Sequence, residues 1–174
     1  NVTTHEIGHA LGLAHTHEAE TIGATTYGTN TPVGSVHNSL SYSVMAYPEY
    51  VGGAISLVSV AYKPTTLMID DIAALQYLYG VDTNTNSGDT TYTLSSFSDD
   101  NLDTIYASIW DAGGTDTFSW SDQSTIASIN LNGGSFSCFG NITGVDDLAL
   151  KGDNWSAGDG LLGIAYNSVI ENAI

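Results

Sequence analysis

The sequence predicts an α+β fold in which helices come first and short strands follow. Three observations carry that expectation. Residues 1 to 15 read as a helix running into a Gly turn, and residues 68 to 79 repeat an apolar stripe at helical spacing. Beyond residue 82 the helical period is lost and short alternating runs appear between Gly and Asp turns.

Residues 16 to 65 are rich in Thr, Ser, Gly and Tyr and poor in helix formers, which predicts loops and short extended pieces. In the second helix Met68, Ile72, Leu75 and Tyr79 fall at i, i+4, i+7 and i+11, on one face. Asp70 and Asp71 lie near its favourable N-terminal dipole, and Gly80 supplies a stop. The runs Thr117–Ser121 and Ser128–Asn132 have strand periodicity. The polar segment Asp82–Gly88 reads either as linker or as ligand loop, so two regions are expected, 1–82 and 83–174.

Of 174 residues only Lys63 and Lys151 are basic, against 19 acids, and the net charge of -17 leaves no basic surface for nucleic acid or anionic lipid. Partners are therefore cations or neutral surfaces. No run approaches the roughly 20 apolar residues of a membrane span. No basic, then apolar leader is in view, so an export signal is expected outside these residues. The lone Cys138 excludes an internal disulfide and reads as a small buried hydrophobe. Bound metal is then the natural staple, and many acids sit in Gly, Asn and Thr turns that suit calcium's oxygen ligands.

The strongest chemical signal is His5-Glu6-Ile7-Gly8-His9. Two imidazoles at i and i+4 share a helix face and can chelate one ion. Gly12 lets the chain turn, and His15 arrives as a third nitrogen ligand. Three neutral His leave a fourth tetrahedral position open, as a catalytic zinc requires. Glu6 points to another azimuth and suits a general base that takes the proton of a zinc-acidified water attacking a peptide carbonyl. His17 and His37 lack such a pattern and read as ordinary loop residues.

Thr4-His5-Glu6-Ile7-Gly8-His9-Ala10-Leu11-Gly12-Leu13-Ala14-His15, followed by Ser43-Val44-Met45-Ala46-Tyr47, resembles the long zinc motif and Met-turn of the metzincins, and of the serralysins in particular. The likeness continues in order through Asp70–Gly80, Ser87–Thr90, Trp110–Phe118, Ile129–Asn132 and Ile170–Ile174. It implies the C-terminal part of a metzincin catalytic domain followed by the start of a calcium-binding parallel β-roll, in a chain expected to lack both ends of the parent. It also implies a secreted, monomeric endopeptidase that hydrolyses internal bonds of protein or peptide substrates, with zinc and structural calcium as cofactors. Met45 would form an apolar floor under the histidines, and Tyr47 would be a further zinc ligand that swings away to stabilise the transition state.

The same resemblance implies two adjacent calcium sites. Asn86, Gly88, Thr90, Asp111, Gly113 and Asp116 would surround one ion, and Gly114, Asp116, Val169 and Glu171 the other. Val169 stands for a Thr and Asn86 for an Arg, replacements that are harmless only where the ligand is the backbone carbonyl. Other departures are Thr16-His17 where serralysins usually carry Pro, Ala46 for a Ser, and Cys138 where an acid is usual. A calcium-binding adhesive module with a vestigial zinc motif is the rival reading, and the intact His5, Glu6, His9, His15 and Tyr47 count against it. Zinc storage fits poorly, because Glu6 and an open coordination position serve hydrolysis.

Overall fold

The computed structural model describes residues 2–17, 20–22, 25–27, 37–48, 63–93, 96–97, 105–121, 126–139 and 160–174. The predicted strand at Ser128–Asn132 is shorter and earlier than expected, the ladder holding only Ala127–Ser128.

Helix α1 (Val2–Ala10) ends where the sequence places its glycine. Gly12 takes φ +93°, which side-chain-bearing residues rarely adopt. The Leu13 N–H then reaches back to the Gly8 carbonyl (3.0 Å) and the Gly12 N–H to that of His9 (3.0 Å), a Schellman closure that turns the chain abruptly. A short hairpin follows, β1 (Glu20–Ile22) antiparallel to β2 (Thr25–Tyr27).

Helix α2 (Ile69–Tyr79) starts with the Asp71 carboxylate accepting the Met68 N–H (2.9 Å). It stops at Gly80, whose φ is +88°. Its burial differs from the predicted stripe. Met68 and Ile69 are fully buried, Ile72 and Leu75 are half-buried, and Tyr79 is 69% exposed, its hydroxyl donating to the Leu11 carbonyl (2.9 Å). The helix therefore buries its first turn end-on rather than laying one face down.

The C-terminal half winds between two sheets. Strands β3 (Thr91–Thr93), β5 (Thr117–Ser119) and β9 (Asn172–Ala173) form an all-parallel sheet in the order β3-β5-β9. The other sheet has the order β4-β8-β7-β6, with β4 (Tyr106–Ile109) parallel to β8 (Gly160–Ile164). Strands β7 (Phe136–Phe139) and β6 (Ala127–Ser128) complete it by antiparallel pairing. Along the chain a strand of the first sheet precedes one of the second twice over, β3 then β4 and β5 then β8, before β9 returns to the first.

Strands β4, β7 and β8 of this sheet are buried on both faces, their successive side chains pointing opposite ways, whereas β6 at its edge is partly exposed. Ala107, Ile109, Leu162 and Ile164 pack with Tyr92, Phe118 and Ile170. Tyr106 and Leu161 turn the other way and pack with Phe136, Cys138, Leu40, Val44, Met45, Met68 and Ile69. That second cluster joins the loop 37–48 and the start of α2 to the sheet. Gly163 permits the approach, since a β-carbon there would lie 2.8 Å from Ile69 Cγ2 and 2.7 Å from Ser108 Oγ. Cys138 is fully buried in the same cluster.

Candidate metal centre and active site

The Schellman turn after α1 brings the three predicted histidines together. His5 Nε2 lies 3.2 Å and His9 Nε2 3.0 Å from His15 Nε2, and the three ligand atoms are all within 4.8 Å of one another. Among the described residues this is the one group of three or more His, Cys, Asp or Glu so arranged.

The far nitrogens explain the orientation. His5 Nδ1 is 2.7 Å from the Val44 carbonyl and His9 Nδ1 is 2.9 Å from the Leu13 carbonyl. A carbonyl can only accept, so each neutral ring carries its proton on Nδ1 and presents a bare lone pair at Nε2. Two lone pairs thus converge on His15 Nε2, an arrangement a cation satisfies. Tetrahedral zinc, at about 2.0–2.1 Å from each nitrogen, sets neighbouring nitrogens about 3.3 Å apart, close to the spacing present. The residues therefore fit zinc in donor type, tautomer and spacing.

Tyr47 closes a further side. Its hydroxyl lies 3.0 Å from His15 Nε2 and its ring centroid 4.7 Å from that of His15. Glu6 is exposed on α1, next to His5. Met45, 1% exposed, lies beneath the helix, its sulfur 2.5 Å from where a β-carbon on Gly8 would stand.

Two contributors to the site, His17 and Asp71, are not evident in sequence, nor is the pairing His37 makes outside it. His17, read as an ordinary loop residue, stacks on His15 (5.3 Å, 17° between planes) and packs against Tyr47 at 4.7 Å. His37, read likewise, pairs through Nδ1 with Asp70 Oδ2 at 2.7 Å. Asp71, read as a helix-dipole acid, is 2% exposed and accepts from Ser43 Oγ (2.6 Å), Val44 N (2.8 Å) and Met68 N. Burial pushes its pKa up, against the three hydrogen bonds that pull it down. Only the N-capping bond to Met68 had a local signal; the others span 27 and 28 residues.

The predicted acidic turns also converge. Asp111 and Asp116 are buried at 2% and 0% exposure. Asp116 Oδ1 accepts the Thr90 N–H (2.7 Å), and the Asp116 N–H donates to Glu171 Oε2 (2.7 Å). Asp111 accepts from the Tyr92 hydroxyl and the Gly113 N–H. Asp116 Oδ2 is buried with no hydrogen-bond partner among the described residues. Burial raises the Asp116 pKa, and the charges of Asp111 and Glu171 add to the rise. Gly113 and Gly114 take φ +141° and +140°. A β-carbon on Gly114 would stand 2.7 Å from the Gly88 carbonyl oxygen, so glycine is required for that approach.

The remaining members of the predicted calcium set lie around this cluster. Asn86, at φ +52°, donates to the Trp110 carbonyl (3.1 Å), and Thr90 Oγ1 donates to the Gly88 carbonyl (2.8 Å). Val169 is 60% exposed. The segment Asp82–Gly88 is tied to the Trp110–Asp116 turn, through Trp110 Nε1 to the Asp82 carbonyl (3.0 Å) and Ala112 N to the Thr85 carbonyl (3.1 Å).

Comparison with known proteins places this geometry in a family. The family model described as peptidase M10 serralysin C terminal matches residues 71–174, and a Met-zincin model matches residues 1–119. Serralysin C of Dickeya chrysanthemi is 41% identical over 180 residues, covering 98% of this chain and 33% of that protein. Serralysin B of the same organism is 38% identical with the same coverage. Metallopeptidase AprA of Pseudomonas marginalis is 38% identical over 161 residues, covering 84% of this chain and 32% of that protein. The chain thus spans about a third of the length of these curated relatives. With the three motif histidines gathered at one point, the buried Met45 packed against Gly8 of the same helix and both family models matched, the chain belongs to the serralysin family of metzincins.

Proposed function

We propose that the protein is a secreted zinc endopeptidase that hydrolyses internal peptide bonds of protein or peptide substrates, and that His5, His9, His15 and Tyr47 hold its zinc. The observation that carries this reading is the convergence of three imidazole Nε2 atoms and the Tyr47 hydroxyl, with two rings locked in the ligating tautomer by carbonyl acceptors. Bound zinc would supply a Lewis acid for the scissile carbonyl and acidify a water. Glu6, exposed beside His5, takes that water's proton and passes it to the leaving amine. The Tyr47 hydroxyl donates a hydrogen bond to the oxygen that gains negative charge.

Residues 1–82 are read as part of the catalytic domain and 83–174 as the start of a β-roll. The parallel pairings β3-β5-β9 and β4-β8 support the winding a β-roll needs. Structural calcium would be held by the Asp111, Asp116 and Glu171 carboxylates with oxygens of Asn86, Gly88, Thr90, Gly113, Gly114 and Val169. The buried Asp116 Oδ2, without a partner among the described residues, supports this, because a cation satisfies a buried carboxylate oxygen that has no donor and favours its ionised form. No described helix is long and apolar enough to cross a membrane.

The full-length protein is expected to clear a casein gel and to bind one catalytic zinc by metal analysis. Glu6→Gln should retain that zinc while lowering kcat by about 10²–10⁴-fold, since it removes a base and no ligand. Near-normal kcat in Glu6→Gln would overturn the mechanism.

A further inference from the structure

We infer that Asp71 is a positioning residue for the metal centre, acting on His5 through Val44. The inference rests on reading His5 as a zinc ligand. Val44 lies in the irregular loop 37–48, whose backbone has no strand or helix ladder to hold it. Its carbonyl is nonetheless the acceptor that sets both the tautomer and the ring plane of His5.

Asp71 holds that stretch of backbone from α2. Oδ2 accepts the Val44 N–H at 2.8 Å, and Oδ1 accepts the Ser43 hydroxyl at 2.6 Å. Ser43 Oγ in turn accepts the Met45 N–H at 3.0 Å. Two successive amides of the turn are thereby fixed, Val44 directly and Met45 through Ser43. The N-capping bond to Met68 explains one of the three donors on Asp71 and leaves the other two to the turn. All of these groups are buried, so water cannot replace a lost acceptor.

The path is short and continuous: Asp71 carboxylate, Val44 N–H, Val44 carbonyl, His5 Nδ1, His5 Nε2. Loss of the acceptor frees Val44 to rotate, which tilts the imidazole and moves the lone pair off the point shared with His9 and His15. Outer partners of metal-bound histidines typically contribute about 10–100-fold in metal affinity.

The test uses the full-length protein with three variants, measuring the zinc dissociation constant by chelator competition and the visible absorption of the cobalt-substituted protein. Asp71→Ala removes the acceptor, and Asp71→Glu keeps the charge but displaces the oxygens by one methylene. Both are expected to release zinc at least about tenfold more readily and to alter the cobalt bands, with native circular dichroism. Asp71→Asn keeps an acceptor for Val44 and Met68 and can donate to Ser43, so it should restore affinity to within about threefold of the parent. Wild-type affinity and an unchanged cobalt spectrum in a folded Asp71→Ala or Asp71→Glu protein would overturn the inference. So would failure of both to fold, because Asp71 would then support the fold at large. If the unmutated protein binds no zinc, the functional reading itself falls.

Discussion

The Met45 sulfur occupies the space that a side chain on Gly8 would need, 2.5 Å from the position of its β-carbon. Gly8 is the one buried residue of α1, and Met45 is 1% exposed, so neither partner has free volume to yield. Gly8→Ala gains about 1 kcal/mol of helix propensity, but overpacking costs about 1–3 kcal/mol. A net loss of stability is expected, read as a lower denaturant midpoint. Met45→Ala alone should cost about 2–5 kcal/mol, and in that background Gly8→Ala should become neutral or stabilising. Strict additivity of the two changes would show that the contact does not set the spacing of α1 and the loop 37–48.

The Tyr47 hydroxyl lies 3.0 Å from His15 Nε2 in a ring cluster that also includes His17. Tyr47→Phe preserves the ring packing and leaves three imidazoles for the metal. Zinc content should therefore hold, while kcat falls about 10–10³-fold through loss of a hydrogen bond made chiefly in the transition state. Equal kcat/KM in the two proteins would reduce Tyr47 to a packing residue.

Asp116 is expected to change the sign of its contribution with calcium. Without the ion, its buried carboxylate lies beside Asp111 and Glu171, and Oδ2 has no partner among the described residues, so Asp116→Asn should raise the melting temperature in excess chelator. In saturating calcium the same variant should melt below the parent, and its calcium affinity should fall further than that of Asp111→Ala or Glu171→Ala. Melts of both proteins, repeated with zinc restored alone, test this. A melting temperature indifferent to calcium would rule out the calcium sites.

Tyr166, which is not among the proposed zinc ligands, provides a pH test. Burial and the Asp70 carboxylate, which accepts its hydroxyl at 3.0 Å, push its pKa up from 10.0 to about 12. A raised folded pKa favours the protonated form, so the associated stability is fully present below 10.0 and lost as pH rises through about 12. Denaturation midpoints should show this loss in the parent and not in Tyr166→Phe. Parallel pH curves for the two proteins would remove Tyr166 from the alkaline transition.

The gathering of His5, His9 and His15 was legible in sequence because it is local. Histidines at i and i+4 share a helix face by geometry alone, and Gly12 announces the turn that returns His15 to them. The helix-then-strand order was legible for the same reason, since periodicities of 3.6 and 2 are short-range properties. What the tertiary structure alone decided was long-range. That Asp71 reaches back 27 residues to Val44, that His17 stacks on His15, and that the start of α2 buries end-on against β8 at Gly163 all depend on how separate segments dock. The stripe Met68, Ile72, Leu75 and Tyr79 shows the limit: periodicity marks a face able to be buried, but packing geometry buried only its first turn. The acids Asp111, Asp116 and Glu171 are separated along the chain by up to 60 residues, and only the parallel register of β5 with β9 draws Glu171 onto the Asp116 amide, where their mutual repulsion calls for a cation.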